Sequence, residues 1–261
     1  MQAKETTLFQ FLEGNKQFII PIYQRTYSWT QEQCGQLWQD IILAATTPTI
    51  QSHFIGSIVY IQEGLYQVAG TPQLLVIDGQ QRLTTLALLL IALARTVREG
   101  KRPHGLNSDL IFDYFLTNRY GKNTERYKLL LTQNDRDTLM ALIEDRDPPK
   151  DASPRLTENF RFFSDKIRSS STDLDAIYNG IGKLIVVGIA LDREHDNPQL
   201  IFESLNSTGL ALSEADLIRN YILMRLAPAH QQHLYEQHWH PMEILFGQAR
   251  YALYFDRFMR D

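Results

Sequence analysis

Hydrophobic positions along the chain change period several times, and each change predicts an element. Around residues 6–13 the spacing suits a short helix. The apolar run Phe18-Ile19-Ile20-Pro21 is expected to be extended, because proline blocks a helix and biases its predecessor away from helical torsions. After Thr30, the residues Cys34, Leu37, Trp38, Ile41 and Ile42 recur at three- and four-residue spacing, which predicts an amphipathic helix. Residues 54–61 and 74–77 are short, rich in Ile and Val and bounded by turn residues, so both are expected strands. Residues 82–99 are apolar on nearly every face, the pattern of a long, mostly buried helix.

From about Ser108 the pattern turns helical, through residues 139–144, until the polar, proline-bearing stretch 144–154 interrupts it. That stretch is the expected linker or long loop. Helical spacing then resumes at Phe160, Phe163 and Ile167 and at Leu174 and Ile177. Residues 184–191 are almost continuously apolar, as in a strand covered on both faces and central in a sheet. So late a strand implies that the two halves of the chain share a sheet or a tight interface. The expected organisation is a mixed α/β lobe over residues 1–100 and a mainly helical lobe over 101–261 that contributes one strand. Residues 251–261 keep helical spacing and stop without a Gly, Asn or Pro terminator, so the chain is expected to be the N-terminal part of a longer protein.

With 261 residues, 44% hydrophobic and 21% charged, the chain can bury a core. Its single cysteine, Cys34, excludes an intrachain disulfide and argues against thiolate metal sites; a reducing, cytoplasmic setting fits. The apolar run 86–94 is far short of the ~20 residues that span a bilayer, so no membrane partner is expected. A net charge of −4 argues against holding nucleic acid by bulk electrostatics. Local patches remain open. Arginine outnumbers lysine 18 to 8, and residues 95–128 carry eight basic side chains against four acidic ones. That stretch is either a solvated face or a phosphate-facing stripe.

Three segments can carry chemistry. In the first, Leu75-Val76-Ile77-Asp78-Gly79-Gln80-Gln81-Arg82, an apolar strand runs through Asp-Gly into a helix. Glycine permits the positive φ of a tight turn, and the first-turn N–H donors, the helix dipole and a guanidinium together suit phosphate. The plainer alternative is that Asp78 caps the helix while Arg82 pairs with a surface carboxylate. In the second, Pro21-Ile22-Tyr23-Gln24-Arg25-Thr26-Tyr27-Ser28-Trp29, an extended chain would put Tyr23, Arg25, Tyr27 and Trp29 on one side, able to stack a base and grip its phosphate. An aromatic core corner is the competing outcome. In the third, a helix ends in the loop Asn206-Ser207-Thr208-Gly209, and Ser213-x-x-Asp216 forms a capping box for the next. Asp216, Arg219 and Asn220 then share one helix face, either as an aimed arginine or as a surface ion pair.

Other chemistries fail on their patterns. No P-loop motif occurs, and Gly180-Ile181-Gly182 lacks a third glycine and precedes a strand. The histidines at 230, 233, 238 and 240 lack thiolates or a zincin glutamate, so exposed helix positions are expected and no protein metal site is assigned. A divalent ion can still arrive with a nucleotide.

Taken together, Pro21-x-Tyr23-Gln24-Arg25-x-Tyr27-x-Trp29, Phe54-Ile55-Gly56-Ser57-Ile58, Ile77-Asp78-Gly79-Gln80-Gln81-Arg82-Leu83-Thr84-Thr85-Leu86 and Phe202-x-x-x-Asn206-x-x-Gly209-x-x-Leu212-x-x-x-Asp216-Leu217-Ile218-Arg219-Asn220 resemble the N-terminal domain of GmrSD-type, modification-dependent restriction proteins. The resemblance implies an α/β (α+β) fold: a ParB/sulfiredoxin-like mixed-sheet core with a large helical addition. It implies a role in anti-phage defence, with a C-terminal HNH-type nuclease domain outside these residues. It also implies nucleoside-triphosphate binding and hydrolysis, with Mg2+ accompanying the nucleotide, and sensing of double-stranded DNA that carries a modified base or a phosphorothioate. Carried over by position, Asp78, Gln80, Gln81 and Arg82 are the expected catalytic residues. Gln24, Arg25, Gly79, Thr84, Asn206, Arg219 and Asn220 are expected to bind nucleotide, and Pro21, Tyr23, Gln24, Tyr27 and Trp29 to read the DNA mark. A non-catalytic module for modified DNA and a ParB-like nickase are the alternatives.

Overall fold

The apolar run at 184–191 does lie inside a sheet. In the computed structural model, which describes residues 1–63, 70–100, 106–192, 195–206, 213–224, 226 and 228–246, six strands form one mixed sheet. They are β1 (Gln2–Thr7), β2 (Gln17–Ile19), β3 (His53–Glu63), β4 (Gln73–Asp78), β5 (Leu129–Leu130) and β6 (Leu184–Leu191), in the order β1-β6-β3-β4-β2-β5. Strand β6 pairs antiparallel with β1 and parallel with β3. The sheet continues through an antiparallel β3–β4 pair and parallel β4–β2 and β2–β5 pairs. The fold is therefore α+β with a mixed sheet, as expected.

Helices α1 (Leu8–Leu12), α2 (Gln31–Thr46), α3 (Gln80–Arg98), α4 (Ser108–Ile111), α5 (Gln133–Glu144), α6 (Pro154–Ser169) and α7 (Leu174–Gly182) follow the sequence periodicity. Thr30 and Gln33 close a reciprocal capping box that starts α2 where the apolar spacing begins. Helix α3 is buried on nearly all sides, from Gln81 to Thr96, because it packs against α4 and α6 as well as the rest of the core. After residue 192 come α8 (Pro198–Asn206), α9 (Glu214–Leu223), α10 (Pro228–Leu234) and α11 (His240–Phe246). Ser213 and Asp216 form the expected capping box of α9. The helix expected at 251–261 lies outside the described residues, and no described helix is long and apolar enough to cross a membrane.

Two compact units result. One comprises residues 1–20 and 26–192; the other comprises 21–25 with the described residues after 192. The boundary expected near residue 100 falls inside the first unit, because α6 packs on α3, α7 packs on α2 and β6 completes the sheet. For the same reason the stretch at 144–154 is a loop joining α5 to α6 within one unit, not a linker between two.

A buried lysine braces this unit. Lys128, 3% exposed, donates its Nζ to Gly14 O and, at 3.3 Å, to Asn118 Oδ1. Burial pushes its pKa down from 10.5 to about 8, with Lys16 adding to the shift and Glu13 opposing it. Between those two values the unfolded chain holds a proton that the folded chain does not, so this group's contribution to stability rises with pH; below about 8 its cost is fully present. Melting curves from neutral pH to pH 10.5 are expected to move in favour of the wild type relative to Lys128→Met as pH rises. A constant difference between the two proteins would contradict the burial of a charged Nζ.

Candidate functional site

Strand β4 ends at Asp78, Gly79 turns the chain with φ 94° and ψ 8°, and α3 begins at Gln80. This left-handed conformation suits glycine, and a Cβ there would also lie 3.0 Å from Ser57 O. Gly79 is itself the N-cap and, being glycine, contributes no side-chain bond to the first turn. The positive end of α3 thus opens directly from the sheet.

Arg82 sits in the first turn of α3 and does not reach for a surface carboxylate. Its Nη1 donates to Ser57 O at 2.7 Å, and its guanidinium lies so close to Gly56 that a Cβ at that position would fall 2.6 Å from Nη2. The register of β3 against β6 shifts between Phe54 and Ser57, and at this bulge the guanidinium is received. Burial lowers the Arg82 pKa from its ordinary value, while the charge of Asp78 opposes that shift. A guanidinium stays protonated near neutral pH even so. The Phe54–Ile58 motif and the Asp78–Arg82 motif are therefore one piece of structure.

The two glutamines between them do different work. Gln81, 8% exposed, accepts at Oε1 from Ser28 N (2.8 Å) and Trp29 N (3.3 Å) and donates from Nε2 to Thr26 O (3.2 Å). Its amide is thus committed to holding the 26–29 loop. The Gln80 side chain is half-buried and makes no hydrogen bond among the described residues. Thr84, also expected to contact nucleotide, is 2% exposed and donates its hydroxyl to Gln80 O.

The expected wall of aromatics is not formed. A turn at Ile22 and Tyr23, with Gln24 N donating to Pro21 O at 3.0 Å, breaks the extended stretch. Tyr27 is 5% exposed and belongs to the core of the first unit. Its hydroxyl lies 2.7 Å from Thr85 Oγ1 and accepts from Asn159 Nδ2 at 3.0 Å, and its N–H donates to the buried Asp135 at 2.6 Å. Burial raises the Tyr27 pKa and pushes the neighbouring Cys34 thiol up to about 11, so neither is an ionised group near neutral pH. Trp29 is half-buried against that core, while Tyr23, 1% exposed, packs in the core of the second unit with Ala215, Leu223, Tyr235 and Trp239. The core-corner alternative holds for Tyr23 and Tyr27.

Pro21, Gln24 and Arg25 likewise belong to the second unit, where Pro21 and Gln24 are buried and Arg25 is half-buried. There Arg219 is 5% exposed and fully engaged. Its Nε donates to Tyr23 O at 2.8 Å, Nη2 to Asp216 Oδ1 at 2.6 Å and Nη1 to Glu243 Oε1. Glu243 Oε2 accepts from Tyr235 Oη at 2.6 Å. Asp216 does hold Arg219, as the helix spacing implied, but the guanidinium is an internal brace and not an open phosphate ligand. Asn220 is 2% exposed, and its Oδ1 has no hydrogen-bond partner among the described residues. Asn206 ends α8, and the residues 207–212 that follow it lie outside the described residues. His230, His233 and His238 are exposed and His240 half-buried.

No pattern in the sequence marks Asn159, Asp135, Tyr235 or Glu243, and Ser57 is marked only as part of the Phe54–Ile58 motif. The first four contribute through contacts 24 or more residues away, or through partners with no local pattern.

Comparison with known proteins places this chain in a family. The uncharacterized protein MJ0686 of Methanocaldococcus jannaschii is 22% identical over 231 residues, which cover 76% of this chain and 38% of that protein. The chain thus spans well under half the length of this curated relative. A family model described as GmrSD restriction endonuclease, N-terminal domain, matches residues 8–223. That match takes in the β3 bulge, the turn into α3 and the whole of α9, and it covers far more than half of the sequence, so the chain belongs to the family of GmrSD restriction endonuclease N-terminal domains.

Proposed function

We propose that this N-terminal domain of a restriction protein binds and hydrolyses a nucleoside triphosphate at the turn between β4 and α3, and that this hydrolysis governs a nuclease carried elsewhere in the protein. The observation that carries the reading is Arg82: a guanidinium clamped in the Gly56–Ser57 bulge at the glycine-capped, positive end of a buried helix. A positive charge fixed in a partly dry setting stabilises the charge that develops on a transferred phosphoryl group, at little reorganisation cost.

Gln80, uncommitted among the described residues, and Asp78, at the end of β4, are the groups suited to orient the attacking water. The water oxygen bonds to the terminal phosphorus as the bridging P–O bond breaks, and the water proton leaves to solvent or to a carboxylate. Gln81 acts as a positioning residue through the 26–29 loop. Asp78 is the one carboxylate of the motif and would be the residue to hold a nucleotide-borne Mg2+, which would supply positive charge against the phosphates. Modified double-stranded DNA as the trigger and a cytoplasmic setting are part of the same proposal, supported by the restriction-protein family.

The test is phosphate release from each of the four ribonucleoside triphosphates, with and without modified DNA. Turnover that Gln80→Ala slows by about a hundredfold or more, with an unchanged melting temperature, supports the site. No turnover with any nucleotide, alongside intact DNA binding, favours a non-catalytic DNA module instead.

A further inference from the structure

The basic stretch that the sequence singled out ends in a loop whose construction is unusual for a solvated connection. Residues 117–127 leave and rejoin the first unit through an antiparallel bridge between Thr117 and Tyr127 and a bond from Asn118 N to Arg126 O at 2.7 Å. Asn118, 3% exposed, fastens the loop from within: its Nδ2 donates to Lys16 O (3.0 Å) and Glu125 O (2.9 Å), and its Oδ1 accepts from Lys128 Nζ. Gln17 Nε2 adds bonds to Thr124 O (2.6 Å) and Tyr127 O (2.9 Å). A loop tied at this many points is rigid, yet its tip presents Tyr120 88% exposed.

In the same loop Arg119, Lys122 and Arg126 are all exposed, against the single carboxylate of Glu125 within residues 119–126. Arg119 and Lys122 make no ion pair among the described residues, and Arg126 lies only within 3.8 Å of Glu144. The concentration of positive charge is local, since the whole chain carries −4. Cations on a prefixed tip supply phosphate contacts at low entropic cost, and an aromatic among them adds contact with sugar and base. One ring is a poor platform for a single strand, which is held by successive stacked bases. A short braced tip suits a duplex, where two backbones flank a groove.

We propose that residues 119–126 form a docking loop for duplex DNA, with Arg119, Lys122 and Arg126 on phosphates and Tyr120 entering the groove between them. This interaction does not rest on the nucleotide site, and each stands or falls on its own measurement.

Fluorescence anisotropy with a short unmodified duplex, titrated at several salt concentrations, tests it. The triple variant Arg119→Gln/Lys122→Gln/Arg126→Gln is expected to weaken binding at low salt by tenfold or more. It is also expected to flatten the slope of log affinity against log salt by about 2 to 3. Tyr120→Ala is expected to weaken binding by about tenfold with the slope retained, and Tyr120→Phe to restore it. Since all four side chains are exposed, a melting temperature equal to wild type accompanies each result. Wild-type affinity and slope in the triple variant overturn the proposal, as does a wild-type protein that ignores duplex or captures only single strands.

Discussion

Arg82→Ala is expected to reduce phosphate release by about a thousandfold, the scale on which a fixed cation acts in phosphoryl transfer. The same substitution is expected to cost stability. Nη1 is the donor to Ser57 O, and removing it leaves that partly buried carbonyl without this partner, a loss of about 1–3 kcal/mol. Gly56→Ala tests the seating of the same guanidinium while leaving Arg82 itself in place. A Cβ there would stand 2.6 Å from Nη2 on a backbone with φ 112°, so Gly56→Ala must displace the guanidinium or strain the bulge. Both variants should lose turnover while Arg82→Lys, which keeps charge without the fork, recovers only a small part. Full turnover in Gly56→Ala would show that the seating of the guanidinium in the bulge is irrelevant to catalysis, and full turnover in Arg82→Ala would remove the nucleotide site.

Arg219→Ala is the second large effect, and it acts on the other unit. All three faces of this guanidinium are occupied, by Tyr23 O, Asp216 and Glu243, and Arg219 and Glu243 are both almost wholly buried. Removing one member of a buried ion pair leaves an uncompensated charge, a cost of about 3–5 kcal/mol. The loss is expected to be local. Because the chain has two compact units, unfolding followed by one global probe can blur it. Hydrogen exchange resolved by peptide is the suitable readout: α9 and α11 should lose protection in Arg219→Ala while α3 keeps it. Unchanged exchange in α9 would mean that the Arg219–Glu243 pair does not hold this unit together. Phosphate release in the same variant distinguishes a brace from a ligand, since a brace affects turnover only in proportion to the fraction unfolded.

Much of the local structure is legible in the sequence, where one short stretch of chain carries the whole cause. Ser213 and Asp216 start α9, and Asp78-Gly79 turns a strand into a helix by a torsion that glycine adopts freely. The interior position of β6 followed from its continuous apolar run. Strand β1 was not legible, because Gln2–Thr7 is a polar edge strand whose pairing with β6 is made by backbone groups that every sequence possesses. The extended aromatic face does not form for a related reason: period-2 alternation says which side chains share a side only while the chain stays straight, and the turn at Ile22–Tyr23 ends that.

By itself, the order of residues along this chain determined the positions of most helices and strands, the glycine turn at the head of α3 and membership of a restriction-domain family, because periodicity, caps and motif spacing act over a few residues at a time. Only the tertiary structure decided which polar side chains were spoken for. It clamped Arg82 in a bulge contributed by another strand, engaged both ends of the Gln81 amide on a distant loop, and closed Arg219 among Tyr23, Asp216 and Glu243. Identity and spacing show what a side chain can donate or accept; whether that capacity is already used depends on buried partners that the fold brings from far along the sequence.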